Sequence, residues 1–398
     1  MGRTSRQCVQ AKVAGARILF GTGAESVRSR YVFVVLAPVD GTCHLYPRLQ
    51  IDRPGFFMSA PENLVELHER ASLPDEGVLG ALRACEGDVA VLGAAGKMGF
   101  HLARMVQRGL QAIGTDRRVF AISRFSSPDS KAPFIEHGIE TISCDLGDIQ
   151  QIAALPECPN VFFLGGVKFG TANAPELLKR CNVEMPALVA ARFRLSRIVA
   201  LSTGCVYSYV TPESGGSGED DASSPVGEYA KSCLGREQAF GQASENSGTR
   251  VSLIRLNYSV DLRYGVPVDI GQKVLAGQPV DVSMGYVNVV WQGDAVRHVI
   301  QALAHAASPP FILNVTGRKV LAVRDIATRL GKLFGVEPIL EGEEGPTAWL
   351  NSAAKAHALF GPPSIDEGTL LEWVAQWLKK GGDTLNRPTH FETRDGNY

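Results

Sequence analysis

Three evenly spaced glycines give the first chemical lead. Gly93-Ala-Ala-Gly96-Lys97-Met98-Gly99 follows the short apolar run Val89–Leu92 and opens into a helical pattern from Phe100 to Gly109. A glycine at 93 permits a tight strand-to-helix turn. One at 96 lets the backbone approach a pyrophosphate, and one at 99 lets the helix pack closely on the strand. Phosphates then meet the positive end of the helix dipole. A strand before and a helix after are the context such a loop requires. Dinucleotide binding is therefore expected, with Lys97 and Met98 beside the phosphates.

The tip of the next strand, Val119–Ser123, bears on which dinucleotide. An NAD site places a carboxylate there for the ribose hydroxyls. Here the tip is Ser123-Arg124, and the nearest acid, Asp116, precedes the strand. A guanidinium suits a 2′-phosphate, so NADP is the expected cofactor and NAD the alternative; as a plain surface residue, Arg124 would say nothing on this point. Asp145, after the third strand, is placed to accept a hydrogen bond from an adenine amino group.

Further along, Asp145-Leu146, Leu164-Gly165-Gly166, Asn182-Val183, Ser202-Thr203-Gly-Cys-Val-Tyr207, Tyr229, Arg255-Leu-Asn257-Tyr258, Val287–Ala295 and Phe311-Ile-Leu-Asn-Val-Thr316 succeed one another. With the glycine loop, this ordered set resembles the extended short-chain dehydrogenase/reductase superfamily, the NAD-dependent epimerase/dehydratase family, over roughly residues 86–380. The resemblance implies that Leu164, Gly165 and Gly166 line the dinucleotide and that Thr203 and Tyr229 form the hydroxyl pair at the nicotinamide. It also implies hydride transfer at a carbinol carbon, on a carbohydrate-type substrate held between core and lobe.

A free phenol has pKa near 10, so at neutral pH only about one part in a thousand is phenolate. The family lowers that value with a lysine four residues on, one helical turn away on the same face. Here Tyr229-Ala-Lys-Ser-Cys233 puts a cysteine at that position. Lys231 is two residues from Tyr229, on another side of the helix. Loss of a positioned acid–base assistant costs about 10²–10⁴-fold. Lys168, in the loop after the fourth strand, is the candidate replacement cation; the alternative is a solvated loop lysine. The missing lysine also fits a catalytically lapsed dinucleotide-binding sensor or scaffold, or a structural partner subunit.

Asn182, Asn257, Tyr258, Arg263 and Gln292 are candidate substrate contacts. Each has an ordinary alternative: a buried polar role for Asn182, a surface ion pair for Arg263, and core packing for Trp291 beside Gln292. The eight histidines show no H-x-x-x-H spacing, so no metal site is expected.

These residues need a scaffold, and the sequence supplies one. Candidate strands Val119–Ser123, Thr141–Cys144, Val161–Leu164, Ile198–Ser202 and Val251–Leu256 follow Val89–Leu92, with helical patterns between most of them. Such alternation builds an α/β fold, a Rossmann-type doubly wound parallel sheet, with a smaller discontinuous C-terminal substrate lobe. The expected division is a helical lead-in at 58–85, a dinucleotide-binding core at 86–256 plus 286–316, a lobe at 257–285 and 317–380, and a polar tail at 381–398. Ser59 and the following proline are expected to start the lead-in helix. The Glu213–Asp221 stretch has the composition of a flexible loop.

The chain has 398 residues, net charge −1, 45% apolar and 20% charged residues, values of a globular protein rather than a disordered one. No charge excess points to nucleic acid, and the longest apolar run is too short to span a bilayer. Eight cysteines without a C-x-x-C pair suit reduced thiols in the cytoplasm. A homodimer through core helices is a family expectation. Residues 1–57 are locally basic and lack a sustained period. They fit a targeting arm, a poorly ordered extension or sequence translated ahead of a start at Met58, the last two being preferred.

Overall fold

The computed structural model describes residues 59–396 apart from 169 and 171–173, together with two strands nearer the N-terminus. Those two, Val9–Val13 and Ala16–Phe20, pair antiparallel as a hairpin within a unit of their own, residues 1–59. Otherwise the expectation for residues 1–57 lies outside the described residues.

In the second unit seven strands form one parallel sheet: β1 (Val89–Leu92), β2 (Val119–Ser123), β3 (Glu140–Ser143), β4 (Asn160–Phe163), β5 (Arg197–Thr203), β6 (Arg250–Leu256) and β7 (Phe311–Val315). Their order is β7-β6-β5-β4-β1-β2-β3. The chain thus winds outward from β1 in one direction and from β4 in the other. The crevice where the order reverses, at the carboxyl ends of β1 and β4, is where such sheets bind ligands. The strands β1 and β4 are wholly buried, as runs without alternation require when both faces are covered.

The helices around the sheet follow from local chemistry. α1 (Leu64–Ala71) starts later than Ser59, because Asn63 caps it by accepting the Glu66 N–H at 3.0 Å. α2 (Glu76–Ala84) is capped by Asp75. α3 (Gly99–Ala112) follows the glycine loop, and α4 (Met185–Arg192) follows β4 through a π-helical turn at Arg180–Glu184. α5 (Gly227–Ser247) carries Tyr229 and ends at Gly248 in the left-handed conformation.

The chain after β6 builds a second apolar core around α6 (Val266–Leu275), α8 (Val323–Phe334) and α9 (Glu367–Lys379), with Trp291, Trp349, Trp373 and Trp377 buried in it, while α7 (Gln292–Gln301) packs its apolar residues into the core of the sheet. The Trp291 and Trp373 rings meet edge to face, 5.5 Å apart. Trp291 thus packs in the core, as expected. The Glu213–Asp221 stretch is pinned rather than loose. Ser217 bridges Asn351, and Glu219 accepts the Asn314 N–H at 2.8 Å.

Candidate dinucleotide and substrate site

The glycine loop forms at the sheet's switch point as its spacing predicts. Gly93 has φ +83, and a Cβ there would lie 2.8 Å from the Gly165 nitrogen, so the loops after β1 and β4 touch backbone to backbone. The turn closes through Gly96 N–H to Gly93 carbonyl at 3.0 Å and Gly99 N–H to Gly96 carbonyl at 3.1 Å. A Cβ on Gly99 would collide with the Ala94 carbonyl. α3 begins with no side-chain cap and no acid in its first turn. That leaves its positive end directed at the exposed backbone of Gly96, an arrangement that fits a pyrophosphate. Lys97 lays its ammonium 3.2 Å over the Tyr264 ring. Burial of that ammonium, then the neighbouring Lys168, lowers its pKa to about 7.

Beneath the loop lies a chain of polar groups. Gln292 Nε2 is 2.6 Å from His101 Nδ1 and donates to the Lys97 carbonyl at 3.5 Å. His101 Nε2 meets His68 Nδ1, on α1, at 2.7 Å. Gln292 therefore supports the glycine loop from below and is 3% exposed, rather than facing the lobe. Sequence reasoning missed His68 and His101. Nothing in their spacing marks them, since 33 residues separate them.

At the tip of β2, Ser123 is half-buried and Arg124 stands exposed. Asp145 accepts the Gly147 N–H at 2.9 Å and faces Arg180 at 3.5 Å, while Leu146 is buried beside it. Leu164 packs against the core, and Gly165 fits tightly against Phe163 and Met185.

The π-helical turn after β4 sets Asn182, which is fully buried. Its amide donates to the Val167 carbonyl and accepts the Val167 N–H, both at 2.9 Å. It also donates to Ser232 Oγ at 2.9 Å and accepts from Arg236 at 2.7 Å. Gly166 is obligatory here, because a Cβ would collide with the Arg236 guanidinium. Asn182 thus fixes the loop that carries Lys168.

Neighbouring hydroxyls on β5 part company, as side chains alternate across a sheet. Ser202 donates to Glu237 at 2.6 Å, joining a buried network. There Arg255 pairs with Glu237 at 2.8 Å and donates to the Tyr207 hydroxyl at 2.6 Å. Thr203 takes the other side and accepts the Cys205 N–H at 3.3 Å.

Tyr229 lies one turn before Cys233, which is fully buried among Val206 and Tyr207. Phenol and thiol thus belong to successive turns of α5. Burial first, then the thiol, pushes the Tyr229 phenol well above its ordinary value. Burial likewise raises Cys233, so both are protonated at neutral pH. The Lys168 ammonium lies over the Tyr229 ring, 5.6 Å from its centroid, and burial lowers the lysine pKa.

Asn257 is buried, and its amide donates to Asn288 at 2.9 Å and the Trp349 carbonyl at 3.2 Å. Tyr258 has a left-handed backbone, φ +40, and packs against the lobe core. Arg263 forks onto Asp261 at 2.5 Å and 3.0 Å. The polar tail buries Thr389 and Phe391.

With fold and site in view, comparison with known proteins is informative. Residues 89–258 match the model of the NAD dependent epimerase/dehydratase family. Solved structures share the fold. A UDP-galactose 4-epimerase is 22% identical, with a TM-score of 0.59 over 74% of this chain and 99% of that one. The UDP-glucose 4-epimerase of Thermus thermophilus, in complex with NAD, is 19% identical, TM-score 0.61, over 73% and 99%. The UDP-glucuronic acid 4-epimerase of Bacillus cereus, also with NAD, is 18% identical, TM-score 0.61, over 74% and 99%. No curated protein matches. Among the described residues, no helix is long and apolar enough to cross a membrane.

Proposed function

We propose that this chain binds a nicotinamide dinucleotide at the β1–β4 switch point and that its hydride-transfer chemistry has lapsed, leaving a sensor or scaffold of cofactor state. The carrying observation is Cys233, fully buried one helical turn after Tyr229, where a phenolate needs an ammonium. A neutral thiol offers no charge to stabilise phenolate. When bound, a nicotinamide ring supplies hydride acceptance and donation. The residues here would hold its phosphates at Gly96 and the start of α3 and place Tyr229 as a neutral hydroxyl.

A second reading keeps the enzyme. Lys168 stands over the Tyr229 ring and would supply the missing charge from the β4 loop, acting on a sugar or sugar nucleotide. UDP-sugar epimerases among the structural neighbours favour that substrate class. The cofactor is also divided: Arg124 favours NADP, and neighbours solved with NAD favour NAD.

The test is calorimetric binding of NAD+ and NADP+, followed by turnover of UDP-glucose, UDP-glucuronate and the free sugars, read by analysis of the sugar products as well as by nicotinamide absorbance. Binding without turnover, with turnover gained by Cys233→Lys, supports the lapsed protein. Turnover by the parent that Lys168→Ala abolishes would replace it with the second reading.

A further inference from the structure

Arginines gather at the amino edge of the sheet, opposite the glycine loop. Arg197 opens β5 and Arg250 opens β6, and the two are register partners on adjacent parallel strands. Side chains in register leave a sheet on the same face, so two cationic side chains start side by side. Like charges placed so are destabilising. Arg194, in the turn before β5, joins them: its carbonyl accepts the Thr249 hydroxyl at 2.9 Å, and Thr249 immediately precedes Arg250. Two acids of this edge are engaged elsewhere, Glu157 by Arg192 and Asp88 by Arg118, both at 2.8 Å. Among the described residues no carboxylate pairs with Arg194, Arg197 or Arg250. Leu195, between the first two, is 79% exposed, more than any other large apolar side chain among the described residues.

The other edge carries the complementary charge. After β5 the chain makes a tight turn over Gly218–Asp221. The Asp221 N–H bonds the Gly218 carbonyl at 3.2 Å, and the Gly218 N–H bonds the Asp221 carboxylate at 2.8 Å. Asn314 on β7 holds this turn, its amide donating to the Ser217 carbonyl at 3.0 Å and its backbone N–H to Glu219 at 2.8 Å. Asp220 and Asp221 are exposed, and among the described residues no cation pairs with either. Asn314 is level with Ser202 across Arg255, five residues beyond Arg197, or about 17 Å along the sheet. The arginines and the acidic turn therefore stand at opposite edges and do not meet within one chain.

We propose that the arginine face is a self-association surface that receives the acidic turn Gly218–Asp221 of a second copy of this chain. Each copy carries both halves of the interface at different edges. Such a contact is heterologous, so copies add head to tail, into a filament or a ring, rather than closing as a two-fold dimer. The fit is one of charge: the neighbouring Arg197 and Arg250 meet the adjacent Asp220 and Asp221, and Leu195 loses exposed apolar surface on contact. Because Asn314 already holds the turn, little ordering is needed before it docks. Neither half of the interface depends on dinucleotide binding.

The experiment is sedimentation velocity of the full chain over a concentration series at about 0.01 M and about 1 M salt, between which the screening length falls from about 30 Å to about 3 Å. At low salt the sedimenting mass is expected to rise with concentration past that of a dimer, and at high salt to lose that rise. Arg194→Glu with Arg250→Glu, both at exposed positions, should weaken the association at least about tenfold, as should Asp220→Lys with Asp221→Lys. An equimolar mixture of the two variants should associate again, because each now carries the charge that the other's altered face attracts. Misfolding of either variant would not give that rescue. A low-salt mass that stops at monomer or dimer, an association indifferent to salt or to both pairs of substitutions, or a mixture that stays dissociated overturns the proposal. Binding of a labelled single-stranded RNA by a parent that does not self-associate, lost in the arginine variant, also overturns it and gives the face to another polyanion.

Discussion

Asn182 and Val167 exchange two hydrogen bonds of 2.9 Å across 15 residues of sequence, closing a ring between a π-helical turn and the loop after β4. The same amide ties Ser232 and Arg236 of α5 to that loop. One side chain thus locks the β4 loop to the helix that presents Tyr229.

Replacing Asn182 by Leu would strand the Val167 backbone groups and take an acceptor from Arg236. The expected loss is about 2–4 kcal/mol of stability, since more than one buried polar group is orphaned at about 1–3 kcal/mol each. The dinucleotide should also bind more weakly, because Gly165 and Gly166 sit on the freed loop. Urea denaturation and calorimetry measure both, and an unchanged midpoint would refute the locking role.

Arg255 and Glu237 are each about 5% exposed. Glu237→Ala would leave a guanidinium buried with only Tyr207 and Ser223 as partners. Breaking such a pair from one side costs about 3–5 kcal/mol. The double change Glu237→Leu with Arg255→Met should cost less than Glu237→Ala alone. If the double variant proves the less stable of the two, the penalty does not come from an uncompensated charge.

The His68–His101–Gln292 chain carries a pH dependence. Gln292 donates to both the Lys97 carbonyl and His101 Nδ1, so His101 bears its proton on Nε2 and gives it to His68 Nδ1. The chain therefore needs both rings neutral. Burial lowers His68 from 6.5 to about 4 and His101 to about 3. Folded values below the unfolded value mean that the unfolded chain takes up protons first as pH falls. The stabilisation is complete above pH 6.5 and is lost progressively as pH drops toward about 4. The urea midpoint should fall over that window, and less steeply in His68→Phe. Parallel pH profiles for parent and variant would show that the titration lies elsewhere.

Arg124 is the test of cofactor choice. If it grips a 2′-phosphate, Arg124→Ala should weaken NADP+ by about tenfold or more, since a charge-assisted hydrogen bond contributes about 1.5–3 kcal/mol. NAD+ should scarcely change. A parent that already prefers NAD+, with NADP+ affinity indifferent to the change, would assign Arg124 to the surface.

The residues that shape the glycine loop are legible in the sequence. Gly93, Gly96 and Gly99 announce themselves because only glycine meets the steric demands of that turn, and strand runs such as Val89–Leu92 and Val119–Ser123 coincide with the observed strands. The start of α1 is not legible in the same way, because an Asn cap at 63 outcompetes Ser59 and nothing local decides between them. The Glu213–Asp221 loop has a solvated composition, yet distant partners, Asn314 and Asn351, hold it.

By itself the sequence determined the alternation of strands and helices, the glycine loop and the cysteine in place of a lysine, because each is a matter of residue type at short spacing. The tertiary structure decided what lies against what. Side-chain alternation on β5 sent Ser202 to Glu237 and Thr203 away from it. Chain crossings brought Lys168 onto the Tyr229 ring, His68 onto His101 and Thr389 onto Asp269. Contacts between residues distant in the chain leave no local periodicity to read. They form only when the buried apolar faces of the sheet and lobe fix where each loop must pass.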